Sequence, residues 1–338
     1  MHPNLYASIT ALAYALPMTI LDNNQLIERF PEWNVEKIEK KTGIRERRIT
    51  TSQESALDLG VAAASDLLNQ HPEMREKIDA LLFCTESPDY CLPPNACLAQ
   101  DILGLRNDIP ATDFSLGCSG FVFGLSLAQG WIASGQARCI LLITAETYSK
   151  YLAEDDKSVR TIFGDGGAAV LVEASEQPGV TDFVFATDGR GGRNLIVPFS
   201  GSGRTKAGVA DAPVFSQDGR TPTNLFMHGA EVFQFTLRCV PDLLTRCLVK
   251  SGKRLEDVDH FVLHQANLFM LEHLRLKCRI PAEKFIIDFA DVGNTVSSTI
   301  PIALKRSLDK GRIKPGQTIF IAGFGVGYSA CAAMLKIQ

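Results

Sequence analysis

A cysteine lies between glycines in "LGCSGF", where the apolar helix pattern of "GFVFGLSLAQGWIASGQ" begins. A helix N-terminus carries partial positive charge and free N–H groups, so a thiol placed there is favoured as thiolate and can act as a nucleophile. The other reading of Cys118 is a small, inert, buried residue. Two further residues have side chains suited to the same chemistry. His264 ends the apolar run "HFVLH", and Asn294 precedes "TVSSTIPIAL". Imidazole and carboxamide can both donate hydrogen bonds to a developing oxyanion. Taken singly, His264 also reads as a satisfied core histidine and Asn294 as a helix N-cap.

The elements that must position these residues repeat within the chain. "KIDALLFCTESPD" resembles "DVDHFVLHQANLF": an Asp, a short apolar strand, then a polar residue five places on, leading from Asp79 to Cys84 and from Asp259 to His264. "LGCSGFVFGLSLAQGWIASGQARCILLIT" resembles "VGNTVSSTIPIALKRSLDKGRIKPGQTIFIAG", with Cys118 and Asn294 at matching places. The chain therefore reads as two related α/β halves, residues 1–175 and 176–338, joined near "SEQPGV". "CILLIT", "AAVLVE" and "TIFIAG" are nearly continuous apolar runs, as expected of strands covered on both faces. Residues at strand ends and helix starts from both halves would converge on one cleft.

Composition limits the alternatives. The chain has 338 residues, 46% of them hydrophobic and 21% charged, and a net charge of −4. This describes a globular protein with a substantial core and argues against a nucleic-acid partner. The nine cysteines form no CxxC pair, and no Lys or Arg precedes Arg29, so an export signal lacks its basic region. The thiols then read as reduced, in the cytoplasm. "ASITALAYALPMTI" reads as an initial strand and turn, and no stretch reaches the length of a membrane span. His260 and His264 are four apart, but on a strand pattern with no adjacent Glu on a helix, so no metal is expected there. "GFGVG" is followed by only eleven residues after Gly327, too few for a dinucleotide-binding unit. Asp165 in "GDGGAA" reads as part of a structural turn.

Six motifs in order carry a resemblance: "TGIRERR" (42–48), "GCSGF" (117–121), "FGDGGAAV" (163–170), "HQAN" (264–267), "GNTVSST" (293–299) and "GFGVGYS" (323–329). Together they resemble the β-ketoacyl-acyl carrier protein synthase III family of thiolase-like condensing enzymes. The resemblance implies a five-layer αβαβα fold, a homodimer, and a Cys118-His264-Asn294 active site. It implies an acyl thioester on Cys118, an oxyanion hole from the backbone amides of Cys118 and Val326, and a decarboxylative condensation with malonyl-carrier protein. His264 and Asn294 would then donate to the malonyl thioester carbonyl, and no metal or cofactor would be needed beyond acyl-CoA or acyl-carrier protein as substrate. Gln265 and Asn267 would support the site from behind. Leu92, in "CTESPDYCLPPNACLAQ", would close the partner's acyl pocket, with Cys91 and Cys97 as bystanders. The Gly-rich segment 188–224 would border the tunnel for the phosphopantetheine arm.

The sequence departs from the family pattern at the donor site. Family members hold the adenine of coenzyme A between a Trp and an Arg; those places carry Lys37 and Lys157, with Lys41 before "TGIRER" and Phe269 in place of a basic residue. Trp33 lies four residues upstream of Lys37. A lysine offers no stacking face, so a carrier-bound donor, or another pose for coenzyme A, is expected. Arg45, Arg47, Arg48, Lys250, Lys253, Arg254, Arg275 and Lys277 are candidates for receiving an acidic carrier protein. Two alternatives remain: an acyltransferase to a hydroxyl or amine without loss of CO2, and a non-catalytic carrier-binding subunit.

Overall fold

The computed structural model describes residues 5–202 and 220–337. Its strands are β1 (Tyr6–Ala15), β2 (Ile20–Asp22), β3 (Glu46–Arg48), β4 (Ala80–Cys84), β5 (Ala111–Phe114), β6 (Cys139–Glu146), β7 (Gly166–Ser175), β8 (Val180–Thr187), β9 (Leu195–Ile196), β10 (Phe226–Met227), β11 (His260–Leu263), β12 (Thr318–Gly325) and β13 (Ser329–Lys336). The helices are α1 (Asn23–Arg29), α2 (Val35–Thr42), α3 (Ala56–Gln70), α4 (Asn95–Ile102), α5 (Gly120–Ala133), α6 (Lys157–Arg160), α7 (Gly229–Ser251), α8 (Leu268–Lys277) and α9 (Thr299–Asp309). The initial apolar run is strand β1, as its pattern predicts.

The main sheet has the order β11-β12-β13-β8-β1-β7-β6-β4-β5. Its two groups of strands meet only where Ala7 of β1 pairs with Val180 of β8. On one side β4 lies parallel to β5 and β6, and β6-β7-β1 follow antiparallel. On the other, β11 lies parallel to β12, β12-β13-β8 follow antiparallel, and Phe261 of β11 bridges in parallel to Phe285. The same strand order thus occurs twice.

The unbroken apolar runs of β6 and β12 follow from their position. Ile140 and Leu142 face a central core with α5 and α9, whereas Leu141, Ile143 and Ala145 face an outer core with α3 and α4. Likewise Ile319 and Ile321 of β12 face the central core, and Phe320, Ala322 and Phe324 face the other outer core with α7 and α8. Successive residues of a strand point to opposite faces, so both sets must be apolar when both faces are covered. Helices α3 and α4, sheet, helices α5 and α9, sheet, and helices α7 and α8 form the five layers of a thiolase-like αβαβα fold. The buried side chains of the central pair of helices are thereby held between strands of both groups.

Candidate active site

Cys118 lies in the turn between β5 and α5 and is 5% exposed. Its backbone is locked beneath β12: a Cβ on Gly323 would stand 2.6 Å from the Cys118 carbonyl oxygen. One on Gly325 would stand 2.7 Å from Sγ. Glycine is required at 325 by this closeness of approach. The N–H groups of Val326 and of Cys118 itself bear on the sulfur and favour its anion. The helix-start reading of a thiolate nevertheless needs correction. Burial, with the nearby Glu86 carboxyl next in weight, pushes the Cys118 thiol up to about 12. Desolvation of an anion outweighs the amides and helix start. At neutral pH the group is a thiol, and its proton must leave during attack.

This has a measurable sign. Alkylation of Cys118 by iodoacetamide, followed by peptide mass mapping to separate it from the exposed Cys91 and Cys97, should rise about tenfold per pH unit between about pH 7 and 10 without levelling. A plateau near pH 8, where an ordinary cysteine titrates, would contradict the assignment.

His264 follows β11 directly and is 2% exposed. Its backbone N–H donates to the Ala322 carbonyl (2.8 Å), which extends the β11–β12 pairing by one residue. Its Nδ1 is 2.7 Å from Thr299 Oγ1, whose hydroxyl lies 3.0 Å from the Val296 carbonyl. This chain fixes the ring plane and leaves Nε2 for the cavity. Burial lowers the imidazole to about 3, so the ring is neutral. Asn294 is not the N-cap of α9, which is Ser298. Its Oδ1 instead accepts the Val296 N–H at 2.9 Å, and its backbone is tied to Ile162 and Gly164. With the oxygen occupied, the amide nitrogen is the remaining donor. Val296 has φ of +55°, the left-handed region, which is rare for a β-branched residue. Its N–H holds Asn294 while its carbonyl anchors Thr299, so one strained peptide orients both donors.

Cys118, His264 and Asn294 line one cavity of about 390 Å³, together with Phe324 and Gly325. Asn267 also lines it, but its side chain caps α8 by accepting from the Met270 N–H at 2.9 Å. Gln265 is buried and tethers the backbone around His264, donating to Leu263 and accepting from the Asp288 N–H. Leu92 is 82% exposed and stands outside the lining of the Cys118 cavity of its own protomer. Asp165 is fully buried and accepts from Thr50 and Ser149, consistent with a structural turn.

Lys41, which lines the cavity, and Lys37 place their ammonium groups 5.3 Å and 5.5 Å from the centre of the Trp33 ring. Lys157 pairs with Glu32 and lies over Phe30. Phe269 packs against His273, with ring centres 4.2 Å apart and planes tilted by 45°. Of the basic residues considered for docking, Arg47 is fully buried, bonded to Asn23 and the Thr161 carbonyl, and cannot receive a partner. Lys250, Arg254 and Arg275 are engaged by the Phe183 carbonyl, by Glu256 and Asp257, and by Glu272. Residues 203–219 of the Gly-rich segment lie outside the described residues.

Sequence reasoning missed four residues at the site: Glu86, Tyr148, Val296 and Thr299. The one signal for Glu86 is an acid just past a wholly apolar strand, at the sheet edge where α/β folds bind ligands.

The comparisons agree along the chain. Family models described as 3-oxoacyl-[acyl-carrier-protein] synthase III and its C-terminal part match residues 112–189 and 248–337. A β-ketoacyl-[acyl-carrier-protein] synthase III of Deinococcus deserti is 38% identical, covering 98% of this chain and 91% of the relative. A solved 3-oxoacyl-(acyl-carrier-protein) synthase III is 45% identical with a TM-score of 0.94, covering 98% of this chain and all of that one. A 3-oxoacyl-(acyl-carrier protein) synthase from Burkholderia xenovorans is 36% identical, covering 98% of this chain and 94% of that one, with a TM-score of 0.92. Identity at this level across nearly the whole length of both partners leaves one assignment: the chain belongs to the 3-oxoacyl-[acyl-carrier-protein] synthase III family.

Proposed function

We propose that the protein is a condensing acyltransferase that extends an acyl thioester by decarboxylative condensation with malonyl-acyl carrier protein. Cys118 Sγ attacks the acyl carbonyl carbon. The bond to the donor's sulfur breaks, and the cysteine proton leaves with the donor as its thiol. Malonyl thioester then loses CO2; the enolate carbon attacks the acyl carbon, and the Cys118 thioester bond breaks and regains a proton. The oxyanion of each tetrahedral intermediate is met by the Cys118 and Val326 amides. The enolate oxygen is met by Asn294 and by His264 in the tautomer that carries its proton on Nε2, in which the single Thr299 hydroxyl proton turns from the Val296 carbonyl to His264 Nδ1. This donor set handles the negative charge with no metal or cofactor. The reading rests on one observation: a nucleophilic sulfur under two amides shares its cavity with His264 and Asn294.

The acyl carrier protein, a homodimer in which Leu92 reaches the partner's acyl pocket, and a cytoplasmic location belong to the same proposal. The exposure of Leu92 and nine unpaired cysteines support the last two. Residues 1–175 and 176–338 as duplicated halves are part of the proposal too, and the repeated strand order supports that division. The test is incubation with acyl and malonyl-carrier thioesters, measuring CO2 and the 3-oxoacyl product. Stoichiometric release of both is expected; acyl transfer to an alcohol or amine without CO2 would overturn the reading.

A further inference from the structure

A second cavity of about 250 Å³ adjoins Cys118, and its lining is not that of a simple hydrocarbon pocket. Leu195, Ile196, Val197, Leu225 and Val326 supply apolar walls, but Glu86, Ser115, Tyr148 and Tyr151 line it as well. Cys118 is not part of its lining, but the residues around the nucleophile are: Val326, which directs its N–H at the sulfur, belongs to the wall, and the Glu86 carboxyl abuts Gly117, next to Cys118. There a side chain on residue 117 would collide with the carboxylate oxygen, so the glycine leaves room for the acid.

Glu86 is held in place from two directions. Its backbone N–H donates to the buried Glu146 carboxylate at 3.1 and 3.2 Å, and Glu146 is itself fixed by Ser87 and Ser297, each at 2.9 Å. The Tyr148 hydroxyl donates to Glu86 Oε2. Among the described residues no hydrogen bond is made to Oε1. A positioned acceptor with an unengaged oxygen, near the nucleophile in a pocket of mixed lining, penalises a plain alkyl chain that would leave it unpaired.

We propose, resting on the acyl-thioester reading above, that this cavity receives the acyl group and that Glu86, with Tyr148, selects acyl chains carrying a hydroxyl group. A hydroxyl fits better than an ammonium. Burial pushes the Glu86 carboxyl up toward its neutral form, and an uncharged partner costs less to desolvate. It fits better than a carboxylate, whose charge would be desolvated among described lining residues that include no cation. The resulting acyl-enzyme is still a thioester on Cys118, so the chemistry of the condensation is unchanged.

The test compares pantetheine thioesters of butyrate, 3-hydroxybutyrate and 4-hydroxybutyrate, reading the rate of Cys118 acylation by intact mass. The wild type should take one of the hydroxylated chains about tenfold or more faster than butyrate. Glu86→Leu should reverse the preference in favour of butyrate, and Tyr148→Phe should reduce it. Each preference is a ratio within one preparation, so partial misfolding of a variant cancels. A wild type that takes butyrate as fast as, or faster than, both hydroxylated chains would overturn the subsite alone. Equal ratios in wild type and Glu86→Leu would do the same. Absence of any adduct from all three thioesters would overturn the acyl-thioester reading and the subsite with it.

Discussion

Cys118→Ala should abolish acyl-enzyme formation and lower condensation by about 10⁴-fold or more. The sulfur is the one group in the cavity that can form the thioester, and neither His264 nor Asn294 can replace it. The variant should fold normally, because the change removes a single buried atom in a turn whose backbone is held by β12 and α5. The measurements are intact mass after exposure to acyl thioesters, product formation, and a thermal melt. An adduct of unchanged mass and rate on the variant would place the nucleophile elsewhere; the other eight cysteines supply the candidates.

Gly325→Ala should also slow the reaction strongly, though less than Cys118→Ala, by a different route. The new methyl would stand 2.7 Å from Cys118 Sγ and 2.8 Å from its Cβ, well inside van der Waals contact. Neither partner can retreat easily. The cysteine is buried, and Gly325 ends a strand paired to β13 through Ser329. The sulfur or the Val326 amide must therefore shift, and the oxyanion loses a preorganised donor. Loss of one such donor is worth about 3–4 kcal/mol of transition-state stabilisation, or roughly 10² to 10³ in rate. Overpacking costs about 1–3 kcal/mol of fold stability besides. Acylation rate and melting temperature together test this: slow acylation with a modest fall in Tm is expected, and acylation at the wild-type rate would show that the sulfur does not work against Val326.

These two effects were not equally visible before folding. The identity of Cys118, His264 and Asn294 could be read from an internal repeat, because duplicated units carry their landmark residues at matching strand ends and helix starts. Sheets covered on both faces could be read from continuous apolar runs such as "CILLIT" and "TIFIAG", whereas the five layers were implied by the resemblance that the six motifs carry. Such patterns report which side of an element is buried. They do not report how deeply a charge is buried or what it meets there. Arg47 reads as one more basic residue in "RERR", yet it is a fully buried hydrogen-bond donor with its guanidinium lowered to about 9 by desolvation. Cys118 reads as a helix-start thiolate, yet desolvation keeps it a thiol.

The contacts that orient the site join residues far apart along the chain. Tyr148 meets Glu86 across 62 positions, and His264 meets Thr299 across 35. Local periodicity carries no information about such pairs. The sequence by itself determined the layered α/β architecture and the three groups able to do the chemistry. Only the tertiary structure decided their ionisation and orientation, and the polar character of the second cavity. The physical reason is that the cost of a charge and the direction of a hydrogen bond depend on the full surroundings of a buried atom, which come from segments far apart in the chain.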